Sequence, residues 1–560
     1  MRIKYIYVNN FRGIDNFSIS DLSSNSLIIG KNDAGKTNIC YAIRKILDYE
    51  VRKVPFDEAD SSNSNKQEIK ISLILNTENI SIDNRSILGT FVDRNNDITL
   101  ELNAVFNEEI MQYEEKFFIG SIDKKEFATN RSTPIDRVLD LIYINPNYNL
   151  LEDKNKFFKF RNTEDKENNI GLTDRVVEGV EHLNEVISNE QVVKDIDSTI
   201  NGQAEFAKVF NGIRFKTQSN INATNIYKSL EIIPYDDQNS KYNNIGDGKT
   251  KTLSFLLNYI SKKTDKQRIL VVEEPENHLY PQLQRTYSQL IDSLQFDQVL
   301  VTTHSPSIID FRKTKAIIKL YRTDAGLHYN SLNIKEDDIR KYGHMLNEEF
   351  AQMLFFDNVL LVEGYSEKYF YNRLMIEEIK FLDFATKKNF GVFCVGGIDF
   401  IQYKLFLKKL KINVIVKTDN DIFKVQRSNP LTYRYAGIER VLGYLDDEGL
   451  SILKSIINVE EIDPKIHFRF TDFESRNIVI EQNLELIQNL FDIYGVYIST
   501  HNLGFEKDFL DFVDMDTPEN LPYLKESKLK NLHVFIHENN ISLKINDRNK
   551  NSILVRFLNV

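Results

Sequence analysis

The chain has 560 residues, of which 41% are hydrophobic, so it can bury more than one core, and its length predicts two to four domains. Its 71 Lys and Arg against 82 Asp and Glu give a net charge of −11, which excludes a global attraction to nucleic acid and leaves local basic patches or metal ions for such binding. Two cysteines far apart argue against a disulfide framework, and no apolar run approaches the roughly 18 residues of a membrane span, so we expect a soluble, cytoplasmic protein without a membrane partner.

The first predicted elements are a strand at 27 to 30, a glycine-rich loop and a helix. GKNDAGKT, residues 30 to 37, has the spacing GxxxxGK[ST] in the strand-to-helix context that this motif requires. Backbone N–H groups and the helix N-terminus can bind phosphate there, Lys36 would reach the outer phosphates, and Thr37 would hold Mg²⁺. An ordinary glycine turn is the less favoured alternative. The predicted phosphate-binding residues are Gly30, Asn32, Gly35, Lys36 and Thr37.

Further predicted strands at 269 to 274 and 298 to 304 flank a helix that starts near Pro281, which indicates an α/β domain. The first of these strands offers Glu273 for a contact to Mg²⁺ and Glu274 as a base for an attacking water, and the second ends in His304, which could sense a γ-phosphate. Gly246 and Gly248 precede a helix whose amides could receive a γ-phosphate from a second subunit. Residues 150 to 235 read as a helical insertion or subunit contact.

A hairpin at 316 to 332 is predicted to close this domain, and residues 335 to 350 make a charged junction. A second α/β pattern follows, with strands at 359 to 362, 391 to 395, 413 to 416 and 495 to 498. The fold class is therefore α/β in both parts.

Carboxylates follow two of these later strands. Glu363 and Glu367 come after the strand at 359 to 362, and Asp419 and Asp421 come after the strand at 413 to 416. Strand ends of α/β sheets bind ligands, and hard oxygen ligands suit Mg²⁺ or Mn²⁺. Two such ions would relieve the repulsion among four acids and could stabilise phosphodiester cleavage. For any single acid, a solvated turn is an equally good interpretation; for the paired motifs it is the weaker one.

GKNDAGKT, IGDGK, LVVEEPE and TTHSP together resemble the Walker A, signature, Walker B and switch-histidine elements of ABC-type ATPases of the SMC and RecF kind. The resemblance covers residues 1 to 345, with the insertion at about 150 to 235 as a probable dimerisation element, and places Arg12 of NNFRG near the nucleotide. It implies binding of ATP with Mg²⁺ and pairing of two heads. Glu273 departs from this class, which usually carries Asp there, and puts the Mg²⁺ geometry and the hydrolysis rate in question.

EGYSEK followed by TDND resembles the Toprim domain of OLD-family nucleases, and further similarity, through FEKDFL and YLKESKLKNL, extends to nuclease subunits of Gabija anti-phage systems. Residues 350 to 560 would form this domain, with Glu506 as a further metal ligand and Lys528 stabilising charge at the scissile phosphate. Glu481 and Glu485 offer a rival to Glu506. The resemblance implies cleavage of double-stranded DNA under nucleotide control, a UvrD-like helicase partner and a homo-oligomer, a tetramer in that family.

Two other functions compete with this one. A RecF-like repair ATPase would use the C-terminal domain only for binding, and would not need EGYSEK and TDND. The acid cluster could also act on RNA, which the residues do not separate from DNA. A topoisomerase reading is less attractive because no nucleophilic tyrosine in a separate DNA-binding domain can be nominated.

Overall fold

The computed structural model describes the chain in two compact units, residues Met1–Lys341 and Tyr342–Val560. The described residues are 1–20, 22–62, 68–121, 125–128, 132–144, 174–203, 209–210, 213–219, 230–235, 246–260, 266–277, 279, 281–310, 313–396, 400–425, 432–457, 469–470, 473–499 and 503–559. Among the helices in these ranges, none has the length and apolar character that a membrane crossing requires.

A six-stranded, mainly parallel sheet forms the centre of the first unit. In spatial order its strands are Gly326–Asn333, Ala316–Thr323, Asn25–Gly30, Gln298–Thr303, Gln267–Glu273 and Leu139–Ile144. The first two form the predicted antiparallel hairpin, and the other neighbouring pairs are parallel. Because parallel strands end at the same edge, Gly30, Glu273 and Thr303 lie side by side there. The predicted strands and the α/β class are confirmed.

A second sheet of the first unit was not predicted. Its six antiparallel strands are, in spatial order, Ile14–Ile19, Arg2–Phe11, Ile69–Asn76, Asp97–Asn107, Gln112–Gly120 and Lys125–Phe127. Alternate residues of Arg2–Phe11 are buried, as in Ile6 and Val8, and they share one apolar core with Ile43 of the helix Lys36–Leu47. The period-two pattern of apolar residues in Arg2–Phe11 was the available signal for it.

The remaining described helices of the first unit are Tyr49–Lys53, Ile82–Leu88, Ile135–Val138, Asp174–Ser188, Gln191–Asn201, Asp247–Ile260 and Pro281–Ser293, and a further helix, Glu336–Tyr342, crosses the boundary between the units. Two of them, Asp174–Ser188 and Gln191–Asn201, fall in the predicted helical insertion, next to the hairpin of Arg214–Ser219 and Leu230–Tyr235. Residues 150–173 and 220–229 of that insertion lie outside the described residues. Its role in dimerisation stays a prediction.

A four-stranded parallel sheet forms the centre of the second unit, with the spatial order Phe390–Cys394, Asn358–Val362, Asn413–Thr418 and Val496–Ile498. All four correspond to predicted strands. A small antiparallel sheet of Ile422–Val425, Thr432–Tyr435 and Arg469–Phe470 lies in the same unit. The described helices of this unit are Glu348–Met353, Tyr365–Glu377, Ile379–Lys388, Phe400–Lys409, Ala436–Val441, Asp447–Ile457, Phe473–Gln482, Leu484–Asp492, Phe505–Val513, Asn520–Glu526 and Lys528–Glu538.

An aromatic cluster fixes three of these helices on one face of the sheet. Phe370 packs its ring edge-on against Phe505 and Phe509, and Phe509 packs in turn against Phe535. These residues lie in one apolar core with Leu360 and Val362 of the central strand. Burial of several large rings stabilises this arrangement by several kcal/mol, on the order of 2 per ring. The packing sets the start of each helix close to the carboxyl edge of the sheet.

Candidate functional site

The predicted phosphate loop connects the strand Asn25–Gly30 to the helix Lys36–Leu47. Lys36 is buried, and its ammonium donates to the carbonyls of Gly30 at 2.8 Å and Lys31 at 3.0 Å. Burial lowers the pKa of Lys36, and the carboxylate of Glu274 acts in the opposite sense. The ammonium is thus held over the loop, where its neutral carbonyl partners can be exchanged for a phosphate. Gly35 is buried beside Lys36, whereas Asn32 and Thr37 are exposed to incoming ligand.

Glu273 lies at the end of its strand next to the loop. It is buried, and its two carboxylate oxygens accept from the hydroxyls of Thr37 and Tyr143. Burial and the bond to Glu273 raise the pKa of Tyr143. The two hydroxyls orient the Glu273 carboxylate toward Thr37, the residue predicted to hold Mg²⁺. Glu is one methylene longer than the Asp usual at this position, and the hydrogen bond from Tyr143 of the neighbouring strand fixes the longer side chain.

Tyr143 was not predicted from the sequence, because it lies 130 residues before Glu273 and becomes its neighbour only through the pairing of Leu139–Ile144 with Gln267–Glu273. A tyrosine one residue before the end of the apolar run LDLIYI was the available signal. Arg44 of the loop's helix stacks on the same ring, with its guanidinium 4.0 Å from the ring centre.

His304 is joined to the acidic loop after Glu273. Its Nδ1 lies 3.4 Å from a carboxylate oxygen of Glu274 and 3.4 Å from one of Glu276. Glu276 also accepts from the backbone N–H of His304 at 2.7 Å and from the hydroxyl of Thr303 at 2.8 Å. Glu274 and His304 were predicted from the sequence, but Glu276, which connects the two strand ends, was not.

Lys251, on the helix Asp247–Ile260, reaches the same loop. Its buried ammonium donates to the carbonyls of Glu274 at 3.2 Å, Pro275 at 3.3 Å and Asn277 at 3.3 Å, and burial lowers its pKa to about 8. The predicted signature glycines precede it at the start of this helix, where Gly246 is exposed and Gly248 is buried.

Arg12 is engaged away from the phosphate loop. Its Nε lies 2.6 Å from Asp60 Oδ1, and its guanidinium stacks 3.7 Å from the centre of the Tyr41 ring. Tyr41 belongs to the loop's helix, and Asn38 of the same helix donates to the carbonyl of Arg12, so both the side chain and the backbone of Arg12 contact that helix. The contact of Arg12 with nucleotide stays a prediction.

In the second unit, three of the predicted acids meet at the carboxyl edge of the parallel sheet. Oxygens of Glu363, Asp419 and Asp421 lie within 4.8 Å of one another. Glu363 accepts from the backbone N–H of Asp419 at 2.9 Å and from the hydroxyl of Thr418, so it is fixed against the neighbouring strand. Burial and the charge of Asp419 raise the pKa of Glu363. These three acids are called the carboxylate cluster below.

Glu367 and Glu506 complete the acidic surroundings. Glu367 is 4% exposed at the first turn of Tyr365–Glu377, and burial together with Asp419 raises its pKa to about 8. Glu506 is 3% exposed at the first turn of Phe505–Val513, and burial raises its pKa. A methyl group on Gly504 would lie 3.0 Å from an Asp419 oxygen and 3.5 Å from a Glu506 oxygen, which puts these two carboxylates beside each other. The rival acids Glu481 and Glu485 are exposed.

Lys528 approaches the acids from the start of Lys528–Glu538. Its Nζ lies 3.7 Å from Glu506, and its side chain is 65% exposed. Burial by itself lowers the pKa of Lys528, but Glu506, Asp419, Glu367 and Asp421 outweigh it and raise the pKa. An exposed ammonium beside buried acids is suited to contact an anionic group that enters from solvent.

Three residues missed from the sequence support Asp419 from behind. Lys417 donates to Ser499 at 2.5 Å and to Asp508 at 3.0 Å, and Ser499 donates to Asp419 at 3.2 Å. Lys417 directly precedes TDND and Asp508 lies in FEKDFL, but only the fold shows that they pair. Arg440, also missed, donates to Glu363 at 2.6 Å and to Asp421 at 3.3 Å.

The donor set fits a hard divalent cation. The three side chains of the carboxylate cluster each offer a carboxylate oxygen, Glu367 and Glu506 lie nearby, and Mg²⁺ and Mn²⁺ prefer such ligands. Burial and mutual repulsion keep the pKa values of Glu363, Glu367 and Glu506 above their ordinary values, which is the electrostatic strain that a cation relieves. The structure therefore fits the divalent-cation site that was expected at the carboxyl edge of this sheet.

Known families match both units. Residues 26–310, half of the chain, match the family described as "AAA domain, putative AbiEii toxin, Type IV TA system". The chain belongs to this AAA-domain family. Residues 354–421 match the family described as "Overcoming lysogenization defect protein-like, TOPRIM domain". This segment contains the carboxylate cluster. An AAA-type ATPase domain is thus followed by a region similar to the Toprim domain of OLD-like proteins, and the resemblance drawn from the motifs is confirmed.

Two curated relatives are similar to this chain over different lengths. Endonuclease GajA of Bacillus cereus (strain VD045) is 26% identical over 577 residues, 97% of this chain and 96% of that protein. The OLD nuclease of Thermus scotoductus (strain ATCC 700910 / SA-01) is 26% identical over 186 residues, 30% of this chain and 33% of that protein. Among solved structures, the Smc head domain of Pyrococcus furiosus bound to the C-terminal domain of ScpA has 15% identity and a TM-score of 0.39, covering 62% of this chain and 99% of that one.

Proposed function

We propose that this protein is a metal-dependent DNA endonuclease whose Toprim site nicks or cuts double-stranded DNA. The observation that carries the proposal is the convergence of Glu363, Asp419 and Asp421 from two strand ends, with oxygens within 4.8 Å of one another. The similarity to proteins named endonuclease GajA and OLD nuclease supports the same activity. The choice of DNA over RNA rests on these relatives.

The residues divide the chemistry among them. Glu363, Glu367, Asp419, Asp421 and Glu506 would hold one or two Mg²⁺ or Mn²⁺ ions, which when bound activate water and stabilise charge on the scissile phosphate. Lys528, exposed 3.7 Å from Glu506, would bind a phosphate oxygen. Thr418 and the backbone of Asp419 orient Glu363, and Ser499 orients Asp419. The side chains are therefore placed before substrate arrives.

We propose that ATP bound with Mg²⁺ at the first unit controls this nuclease. The buried Lys36 and the orientation of Glu273 by Thr37 and Tyr143 support nucleotide binding. Gly246 and Gly248 would receive the γ-phosphate of a second head, so the protein would act as a homo-oligomer of paired heads, up to a tetramer. In the cell it would work in anti-phage defence with a UvrD-like helicase, and loss of nucleotide during infection would release cutting.

The test is a nicking assay on supercoiled plasmid with Mg²⁺ or Mn²⁺. We expect Glu363→Ala and Asp419→Ala to lose at least about 100-fold in nicking while still binding ATP. Glu485→Ala, in an exposed acid of the same unit, is the matched control and should nick normally. Unchanged nicking by Glu363→Ala would refute the assignment. ATP hydrolysis stimulated by DNA without any strand cleavage would instead support the RecF-like alternative, and cleavage of RNA alone would change the substrate.

Nucleotide control is tested in the same assay. ATP should reduce nicking by the natural protein and should have no effect on Lys36→Ala, because the ammonium over the phosphate loop is lost. An equal ATP response in both proteins would exclude the first unit as the sensor.

A further inference from the structure

Arg440 lies across the carboxylate cluster. Its Nη1 donates to Glu363 Oε1 at 2.6 Å, and its Nη2 donates to Asp421 Oδ2 at 3.3 Å. Glu363 and Asp421 are two of the three carboxylates whose oxygens are close enough to share one cation. One guanidinium thus neutralises two of the groups that a divalent cation would need.

The position of Arg440 is set by close packing of its helix. A methyl group on Gly437 would lie 2.0 Å from the carbonyl oxygen of Asp419, so only glycine permits the helix Ala436–Val441 to approach the TDND loop this closely. The backbone N–H of Ala436 donates to the carbonyl of Asp421 at 2.9 Å. The helix is docked onto the loop that carries the acids and presents Arg440 to them.

The ion pairs are partly shielded from water. The side chain of Arg440 is 20% exposed, and those of Glu363 and Asp421 are 14% and 32% exposed. Charge-assisted hydrogen bonds to a planar guanidinium are stronger and more directional in such surroundings than on an open surface. The contact therefore differs from the fully exposed pair of Arg548 and Asp514 in the same unit, also 3.3 Å long.

Glu363 Oε1 accepts from three donors, the hydroxyl of Thr418, the backbone N–H of Asp419 and Arg440. The first two are neutral groups that can remain in place beside a cation. Arg440 carries a full positive charge, and two positive charges a few ångströms apart repel each other. A divalent cation therefore competes with Arg440 for Glu363 and Asp421.

We propose that Arg440 is the internal counter-ion of the metal-free carboxylate cluster and that a divalent cation displaces its guanidinium from Glu363 and Asp421. This rests on the proposed function only in taking the cluster as a metal site. Arg440 is a positioning residue in this scheme. It holds the acids together in the absence of metal, and it raises the concentration of free cation at which the site becomes loaded.

The test is Mn²⁺ binding to the nucleotide-free, full-length chain, followed by the electron paramagnetic resonance signal of free Mn²⁺. The site is identified as the binding that Asp419→Asn removes. Arg440→Gln should bind Mn²⁺ at that site at least about tenfold more tightly, because one charged competitor is removed. Arg548→Gln, the matched control, should bind as the natural protein does. An unchanged or weaker affinity in Arg440→Gln would overturn the proposal, since a purely structural role predicts loss of affinity.

Folding is tested separately, because the acids of Arg440→Gln repel one another when no metal is present. Its melting temperature should fall in chelator and recover in Mg²⁺ more than that of the natural protein. If that variant does not fold, Arg440→Lys carries the test: an ammonium cannot bridge both carboxylates in the same way, so affinity should rise about threefold, and no rise would overturn the proposal. Tight Mn²⁺ binding without any nicking would refute the nuclease and leave this inference standing, whereas no Mn²⁺ binding would refute both.

Discussion

Lys417 Nζ lies 3.0 Å from Asp508 Oδ2, and each side chain is only 1% exposed. Burial by itself lowers the pKa of Lys417, but Asp508 and Asp419 outweigh it and raise the pKa, so the lysine is charged at neutral pH. Through Ser499 this buried pair is connected to Asp419 of the carboxylate cluster. The orientation of Asp419 in the carboxylate cluster thus depends on an ion pair deeper inside the unit.

Replacing Asp508 should destabilise the Toprim unit. Asp508→Asn leaves the buried ammonium of Lys417 without a negative partner, which costs about 3 to 5 kcal/mol in similar sites. Chemical denaturation of the full chain should show this loss. Asp511→Asn, in a half-exposed acid of the same helix, is the control and should cost less than about 1 kcal/mol. Equal stability of the two variants would mean that the buried pair does not stabilise the fold.

Replacing Gly504 should weaken cation binding at the carboxylate cluster, in addition to the loss of stability caused by backbone strain. Its φ of +81° disfavours any other residue, and a methyl group would lie 3.0 Å from Asp419. Gly396→Ala is the matched control, because φ is +70° there and no described atom lies within 4 Å of the added methyl. Both variants should lose about 1 to 2 kcal/mol of stability. Only Gly504→Ala should also bind Mn²⁺ more weakly, and similar Mn²⁺ affinities would contradict the crowding argument.

Replacing Tyr143 should loosen Glu273. In Tyr143→Phe a buried carboxylate oxygen loses its donor, at a cost of about 1 to 3 kcal/mol in the free energy of unfolding. Since Glu273 is oriented by Thr37 and Tyr143, ATP should also bind several-fold more weakly in the presence of Mg²⁺ and normally in its absence. Tyr41→Phe is the control, because it is the ring of Tyr41 that contacts Arg12. If Mg²⁺ strengthens ATP binding equally in Tyr143→Phe and in the natural protein, Glu273 does not contribute to the Mg²⁺ site.

Lys251 should make the stability of the first unit depend on pH. Burial lowers its pKa from 10.5 to about 8 in the folded chain, so between these values the unfolded chain binds a proton that the folded chain lacks. Stability from this group therefore increases as pH rises from about 8 toward 10.5 and is lost as pH falls through 8. The melting temperature of the natural protein relative to Lys251→Met should be at least about 2 °C higher at pH 9.5 than at pH 7.

Lys249→Met controls for the loss of a lysine from the same helix, and its difference from the natural protein should not change with pH in this direction. A constant difference for Lys251→Met across this range would show that Lys251 keeps its ordinary pKa. The measurement is a thermal melt without nucleotide, because bound ATP would stabilise the same unit.

The amino-acid sequence by itself determined the elements that depend on local pattern. Apolar runs predicted the parallel strands of the Toprim unit and all but Leu139–Ile144 in the central sheet of the first unit. The spacing of GKNDAGKT predicted the phosphate loop, and the acids of EGYSEK and TDND predicted a ligand site at strand ends. These inferences succeed because strand, loop and helix preferences act over a few residues. Even the meeting of Glu363 with Asp419 followed from this, since adjacent parallel strands end at the same edge.

Only the tertiary structure decided which distant groups complete those sites. Tyr143 reaches Glu273, Lys417 reaches Asp508, and Arg440 reaches Glu363 across 130, 91 and 77 positions of sequence. No local periodicity encodes such pairs, because they are selected by the packing of whole elements and by the cost of leaving a buried charge or polar group without a partner. The sequence thus contained the acids, and the fold supplied the groups that orient and neutralise them.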